Sequence, residues 1–204
     1  MERLIKDIGG FFMRSKQVQP LIESAIMAAL AMIIDLLPSI NLGPWISMSF
    51  AMVPVFIVSF RWGFRYGVLS GLLWGLLQVV TGDVSILHWF QFLVEYFVAF
   101  ACVGFAGLFM NVIQRRFREG QKLAGLGFAV FAMFIGSLAR YIWHYIAGVV
   151  FWGSYAPEGQ PAWLYSLIVN GSAWLGSFLL CSFVMVFLLS ASPRVLTVSR
   201  SQLS

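Results

Sequence analysis

The chain has 204 residues, of which 60% are hydrophobic and 10% are charged, and its formal net charge is +5. A soluble domain is roughly half apolar and a quarter charged, so this composition excludes an ordinary soluble fold and indicates a membrane protein. The positive charge lies in predicted loops and tails, which indicates membrane topology rather than nucleic-acid binding.

Residues 1–19 are charged and lack the apolar core and small-residue cleavage site of a signal peptide, so we expect a tail there. Six long apolar runs follow, and a run of about 18 apolar residues is typical of a membrane-spanning helix. The predicted spans are 20–38, 46–60, 63–82, 90–113, 123–152 and 162–190. Because the connections are short, the pattern predicts one all-α transmembrane domain over residues 1–204, ending in a tail at about 191–204.

The basic residues indicate the orientation of these six spans. The connections 39–45, 83–89 and 153–161 contain no Lys or Arg. Twelve of the thirteen basic residues lie on the opposite side: Arg3, Lys6, Arg14, Lys16, Arg61, Arg65, Arg115, Arg116, Arg118, Lys122, Arg194 and Arg200. By the positive-inside rule, both termini are predicted to be cytoplasmic.

Two predicted spans carry small residues at helical spacing. Span one has Ala25, Ala28 and Ala29, and span three has a glycine every four residues from Gly63 to Gly75. Such surfaces allow helices to approach closely in lipid, either within the chain or against another membrane subunit.

Three further residues within the runs carry local expectations. Pro54 predicts a kink or a break in span two. Cys102 and Cys181 both fall inside apolar runs and are interpreted as packing residues rather than as a disulfide.

Polar and aromatic residues from four segments converge near the predicted outer surface. Counted from the outer ends of their spans, Glu95 lies about 9 Å deep and His144 about 12 Å deep. Tyr165 and Asn170 follow at similar depth in span six, and Trp45 belongs to the first outer connection. The convergence predicts a binding site open to the outside.

Structural interpretations compete with this hypothesis for each residue. The tryptophans at 45, 89, 152 and 163 could be interfacial anchors. His144 could be a satisfied interior histidine, and Asn170 could bridge helices. Arg140, one helical turn from His144, is interpreted as a structural partner of Glu95. Glu95 indicates function, because an ionisable group inside a span is costly unless it faces a cavity or a partner. A carboxylate ringed by aromatic faces suits a cationic, partly flat ligand.

Two sequence segments resemble a known family. The stretch Ile86-Leu87-His88-Trp89-Phe90-Gln91-Phe92-Leu93-Val94-Glu95-Tyr96 resembles the fourth-helix motif of thiamine-specific substrate-binding subunits (S components) of energy-coupling-factor transporters. Arg140-Tyr141-Ile142-Trp143-His144, with Gly148 and Phe151-Trp152-Gly153, resembles the fifth-helix motif. Tyr165, Asn170 and Trp45 match in position, and the similarity covers nearly the whole chain.

The resemblance implies a bacterial cytoplasmic-membrane protein that binds thiamine with high affinity and has no cofactor and no metal. The implied thiamine site consists of Trp45, Glu95, Tyr96, His144, Trp152, Tyr165 and Asn170. Ser85 departs from the family, because a tyrosine is expected ten residues before the glutamate, and this leaves room for a close analogue. The implied mechanism is capture from outside, closure of the 39–45 connection, and reorientation driven by partner subunits.

The resemblance also implies those partners: a transmembrane coupling subunit, docked on Ala25, Ala28 and Ala29, and two cytoplasmic ATPases. The chain itself has no Gly-rich phosphate loop ending in Lys-Ser/Thr.

Three alternatives remain open. The pocket could bind another small heterocyclic vitamin or a thiamine precursor. An intramembrane enzyme could use Glu95 and His144 as acid and base, although the sequence has only two histidines and no His-Glu-x-x-His pattern. A stand-alone secondary transporter usually has paired repeats, which are absent here.

Overall fold

The computed structural model describes residues 2–37, 40–42 and 46–196, with side chains described for 18–37 and 47–196. The described chain is largely helical, and four of its helical runs are long and apolar enough to cross a membrane: Val18–Leu36, Trp89–Arg118, Lys122–Val150 and Ala162–Ala191.

The first helix, α1, spans Glu2–Leu36 and therefore begins within the segment predicted to be a tail. Helix α1 continues through Pro20. The N-terminal extension is charged, but Glu, Lys and Arg are good helix formers, so polarity does not oppose helix formation there.

An antiparallel strand pair replaces the start of predicted span two. Strand β1, Ile40–Leu42, pairs with strand β2, Ile46–Met48, so that Asn41 lies opposite Ser47. The following helix, α2, is Met52–Trp62. The kink expected at Pro54 is wrong, because this residue lies in the first turn of α2, where a backbone N–H has no helical partner to lose.

Helix α3, Phe64–Thr81, follows α2 after Gly63 and ends at Gly82, which caps it in the left-handed conformation (φ 79°). The fourth helical run is irregular. It consists of α4 (Trp89–Leu93), a π-helical turn (Val94–Val98), α5 (Ala99–Cys102), a 3₁₀ segment (Val103–Phe109) and α6 (Met110–Arg118). Helices α7 (Lys122–Val150) and α8 (Ala162–Ala191) flank a 3₁₀ turn at Gly153–Tyr155, and a last 3₁₀ turn covers Pro193–Leu196.

The glycine ridge of α3 packs inside the chain, against the fourth helical run. A Cβ added at Gly67 would lie 3.0 Å from the Cα of Gly104, and one added at Gly75 would lie 3.0 Å from the carbonyl carbon of Tyr96. A distance of 3.0 Å is tighter than nine in ten real Cβ contacts, and the Cβ at Gly75 would also overlap the carbonyl oxygen of Tyr96. Of the two interpretations of this ridge, internal helix packing is therefore confirmed.

The core lies between α1, α2, α3, α5, α7 and α8. Its large buried side chains include Phe56, Phe60, Trp74, Met133 and Met185. Cys102 and Cys181 are both buried and free, which confirms that they are packing residues rather than a disulfide.

A polar cluster joins α1, α2 and the C-terminal 3₁₀ turn at the end opposite the strand pair. Glu23 lies 2.9 Å from Arg61 Nε and accepts a 2.6 Å hydrogen bond from the indole N–H of Trp62. Arg61 also donates to the carbonyl oxygen of Val195 at 3.0 Å. Arg61 and Arg194, which precedes Val195, are thereby brought to the same end of the bundle.

Gly75→Ala is expected to destabilise the protein by about 1–3 kcal/mol, because the new methyl group overpacks a backbone contact. Thermal unfolding in detergent measures the change. Gly127→Ala is the matched control, since nothing lies within 4 Å of its added Cβ. Equal melting temperatures for the two variants would contradict the close approach of α3 to the fourth run.

Candidate functional site

Glu95 and Tyr96 lie in the π-helical turn Val94–Val98 of the fourth helical run. A π turn carries one more residue than an α-helical turn and is frequent at functional sites. Because one residue corresponds to about 100° of rotation in an α-helix, the turn re-aims the side chains that follow it. Glu95 lies within the turn itself and is largely withdrawn from solvent, with 13% of its side chain exposed.

Three side chains surround the Glu95 carboxylate. Gln91 donates a hydrogen bond from its amide nitrogen to Oε2, and Trp152 Nε1 lies 3.5 Å from the same oxygen. His144 Nδ1 lies 3.6 Å from Oε1. The carboxylate therefore joins the fourth helical run to α7 and to the residues that follow α7.

Gln91 is fully buried and connects Glu95 to the preceding loop. Its amide nitrogen also donates to the carbonyl oxygen of Ser85 at 2.9 Å, while its amide oxygen accepts from the backbone N–H of Leu87 at 3.1 Å. This role was not predicted, although a polar residue one turn before Glu95 on the same helix face was a usable signal.

His144 is held from its other side by Arg140, whose Nε donates to His144 Nε2 at 3.4 Å. Because a guanidinium can only donate, Nε2 accepts and the neutral imidazole carries its proton on Nδ1, facing Glu95. The Arg140 guanidinium carbon lies 4.1 Å from the Phe100 ring centroid and 4.5 Å from that of Trp74. The expectation that Arg140 is the partner of Glu95 is wrong: His144 occupies that place, and Arg140 rests on aromatic faces.

A cavity of about 380 Å³ opens beside the Glu95 carboxylate. Six of the seven predicted site residues line it: Glu95, Tyr96, His144, Trp152, Tyr165 and Asn170. The seventh, Trp45, lies outside the described residues. Within the described part of the chain, the structure thus gathers every predicted site residue around one space.

The tryptophans at the end of the bundle that contains the cavity separate into two groups. Trp89 and Trp163 are 66% and 52% exposed, as expected for interfacial anchors. Trp152 instead lines the cavity, and its ring lies 5.5 Å from that of Tyr155, which also lines the cavity.

Helix α8 contributes its polar residues through a close contact with α7. Ser166 Oγ donates to the carbonyl oxygen of Tyr145 at 2.8 Å, and Asn170 Nδ2 donates to Ser166 Oγ at 3.1 Å. Gly148 leaves the space for both side chains, since a Cβ there would lie 2.9 Å from Asn170 Nδ2. Asn170 therefore supports helix packing through Ser166 and also lines the cavity.

Ser85 lines the cavity where the family pattern predicts a tyrosine. Its backbone N–H donates to the hydroxyl oxygen of Tyr96 at 2.8 Å. The loop backbone thus positions the phenol of Tyr96, while the small Ser85 side chain leaves space at the wall.

Asp35 and Gln78 also line the cavity, and the sequence pattern did not single them out. The amide nitrogen of Gln78 donates to the Asp35 carboxylate. Asp35 lies inside predicted span one, so the rule that pointed to Glu95, that an ionisable residue within a span indicates function, applied to it equally.

The three alanines of α1 do not share one face. Ala25 and Ala29 are exposed beside Ile22, Ile26 and Ile33, whereas Ala28 is fully buried in the core. The expectation that Ala28 belongs to a docking surface is wrong, because a residue three positions after Ala25 points toward α2 and α3 here.

Comparison with known proteins identifies the family. The sequence model of the thiamine transporter protein family (Thia_YuaJ) matches residues 21–197. The chain is 41% identical over 185 residues to the thiamine transporter ThiT of Bacillus subtilis strain 168, covering 90% of this chain and 96% of that protein. It is 37% identical over 183 residues to the thiamine transporter ThiT of Lacticaseibacillus paracasei, covering 88% and 91%.

A solved structure of ThiT from Listeria monocytogenes superposes with a TM-score of 0.85 at 38% identity, covering 89% of this chain and 98% of that one. The chain therefore belongs to the thiamine transporter protein family, which confirms the family resemblance in its sequence. The family and these relatives are transporters rather than enzymes. With four apolar helices of sufficient length in its described part, the chain is a multi-pass membrane protein.

Gln91→Leu is expected to destabilise the protein by about 1–3 kcal/mol, because it removes the hydrogen bonds that this fully buried amide makes with the 85–88 loop and with Glu95. Chemical or thermal unfolding in detergent measures the loss. Gln160→Leu, the same change in the loop before α8, is the control. A Gln91→Leu variant as stable as this control would contradict the bridging role of Gln91.

Proposed function

We propose that this member of the thiamine transporter family binds thiamine in the cavity beside Glu95 and serves as the substrate-binding subunit of an importer. The observation that carries the proposal is the position of the Glu95 carboxylate, which is largely shielded from solvent and faces a space lined by Tyr96, Trp152, Tyr155 and Tyr165. Two relatives, from Bacillus subtilis and Lacticaseibacillus paracasei, are named thiamine transporters.

The chemistry of thiamine matches these walls. Thiamine is a cation that joins an aminopyrimidine ring to a positively charged thiazolium ring through a methylene group. A carboxylate can offset the positive charge or accept from the amino group, and indole and phenol faces stack on flat cationic rings. A cavity of about 380 Å³ is within the range of small-molecule sites.

The proposed topology has six spans with both termini in the cytoplasm. Helix α2 alone is about 16 Å long, too short for a bilayer core of about 30 Å. Strand β2 and α2 together extend about 26 Å, which supports a crossing by this composite segment. The contact between Arg61 and Val195 supports a cytoplasmic face where basic residues gather.

The proposed assembly is that of an energy-coupling-factor transporter in a bacterial cytoplasmic membrane, with the whole chain acting as one transmembrane domain. A transmembrane coupling subunit would dock on the exposed face of α1 at Ala25 and Ala29, and two cytoplasmic ATPases would supply energy. The sequence supports this division of labour, because it contains no phosphate loop of its own. Trp45 is proposed to complete the site from the first outer connection.

A close analogue or precursor of thiamine is the second candidate ligand, and Ser85 favours it. Where the family pattern predicts a phenol, the wall carries only a hydroxymethyl group. Titration with thiamine, its phosphates, its pyrimidine precursor and unrelated vitamins distinguishes these ligands.

Glu95→Gln is expected to weaken thiamine binding by about 2–5 kcal/mol, because the variant keeps the shape of the side chain but removes the charge that pairs with the ligand. Quenching of tryptophan fluorescence in the purified protein measures the affinity. Glu158→Gln, an exposed loop residue, is the matched control and should bind like the unmodified chain. Unchanged affinity in Glu95→Gln would contradict the proposed site.

Vesicles that contain this chain alone are expected to bind thiamine without accumulating it, whereas vesicles with the coupling subunit and both ATPases accumulate it when ATP is supplied. Radiolabelled uptake measures the difference. Concentrative uptake by the isolated chain would favour a stand-alone secondary transporter instead.

A further inference from the structure

A second, smaller cavity of about 140 Å³ lies next to the first one. It is lined by residues of α1, β2, α2, α3, α7 and α8 and of the connection between β2 and α2, among them Ser47, Ser49 and Ser177. Asp35 and Arg140 line both cavities, so these two side chains form the boundary between them. The pair is thus exposed to the ligand space on one side and to a polar interior on the other.

The Asp35 carboxylate accepts a hydrogen bond from the amide nitrogen of Gln78. It lines the same two cavities as Arg140, and a nearby positive charge favours the ionised form of a carboxylate. Arginine side chains are always protonated in proteins. The Trp74 and Phe100 rings hold the Arg140 guanidinium in place. Asp35 and Arg140 therefore bring one negative and one positive charge to the same boundary.

The charges that line the two cavities can be summed. Among the described residues there, Asp35 and Glu95 are acidic, Arg140 is basic, and His144 is neutral because its Nε2 accepts from Arg140. Two negative charges and one positive charge leave a net charge of −1. This value matches a ligand that carries a single positive charge.

We infer that Asp35 is a specificity-determining residue, which offsets Arg140 so that the ligand cavity keeps one unbalanced negative charge and selects a singly cationic ligand. Arg140 and Glu95 line the same cavity. Without Asp35, the positive charge of Arg140 would offset the negative charge of Glu95, and the cavity would no longer prefer a cation. Charges that line one cavity act strongly on each other and on a bound ligand, because the protein interior screens them less than bulk water does. The inference rests on the proposed function, since it takes thiamine as the ligand.

The test compares thiamine with a neutral analogue in which a thiophene replaces the thiazolium ring. The two ligands have nearly the same shape, so the ratio of their dissociation constants reports the charge preference and is insensitive to a general loss of packing. Isothermal titration in detergent measures both constants for the unmodified chain, Asp35→Asn, Arg140→Gln and the double variant.

The expected results follow from the net charge. Asp35→Asn, at net charge 0, should lower the preference for the cation by about tenfold, as expected for a unit charge at partly screened distance. Arg140→Gln, at −2, should retain or raise the preference. The double variant returns to −1 and should recover the preference to within about threefold of the unmodified chain. Glu158→Gln, which removes an exposed charge, should leave the ratio unchanged.

Three outcomes would overturn the inference, and a fourth would overturn the proposed function. If Asp35→Asn weakens both ligands equally, or if the double variant has a lower preference than Asp35→Asn alone, Asp35 has only a structural role. If Asp35→Asn does not fold, Arg140→Gln tests the inference instead. A lower preference for the cation in Arg140→Gln than in the unmodified chain would reject the proposed charge balance. If the folded, unmodified chain binds neither ligand, the proposed function itself fails.

Discussion

The fold depends on the desolvation of one carboxylate within the bundle. Glu95 is largely withdrawn from water, so its charge has to be compensated by donors that the chain itself provides. Gln91 comes from the same helical run, His144 from α7, and Trp152 from the segment after α7. Arg140 orients His144 from behind, and the aromatic rings of Trp74 and Phe100 hold Arg140. The polar site is therefore continuous with the aromatic core: Trp74 and Phe100 position Arg140, which positions His144 beside Glu95.

Close helix packing makes this arrangement possible. The glycines of α3 let its backbone contact the fourth helical run directly, and Gly148 of α7 leaves space for the Ser166 and Asn170 side chains of α8. Short contacts between backbones leave few ways for the helices to slide past each other. The cavity walls are thus held in position by close helix contacts at glycines. The cavity itself is lined by larger side chains, such as Tyr96, Trp152 and Tyr165.

Much of the site was predictable because Glu95, His144, Tyr165 and Asn170 could be placed by counting residues from apolar boundaries. The fold was less predictable at segments where neighbours decide the conformation. The strand pair at residues 40–48 forms through pairing, which an apolar run does not reveal, and α1 continues into a charged region because charged residues also favour helix. Asp35 was overlooked although it obeys the rule that identified Glu95, and its partner Gln78 lies 43 positions away in the sequence.

The π turn at Val94–Val98 has a consequence for the phase of the helical pattern along residues 89–118. Positions before and after the turn are offset by about 100°, so a periodicity computed across the whole run averages two different faces. Deleting one residue from the turn would replace the π turn by an α-helical turn and rotate the residues before it against those after it. Either Glu95 would lose its contacts with Gln91, His144 and Trp152, or α5 would lose its contacts with α3. Sequence alignments and grafts through this segment therefore have to treat the residues before and after the turn separately.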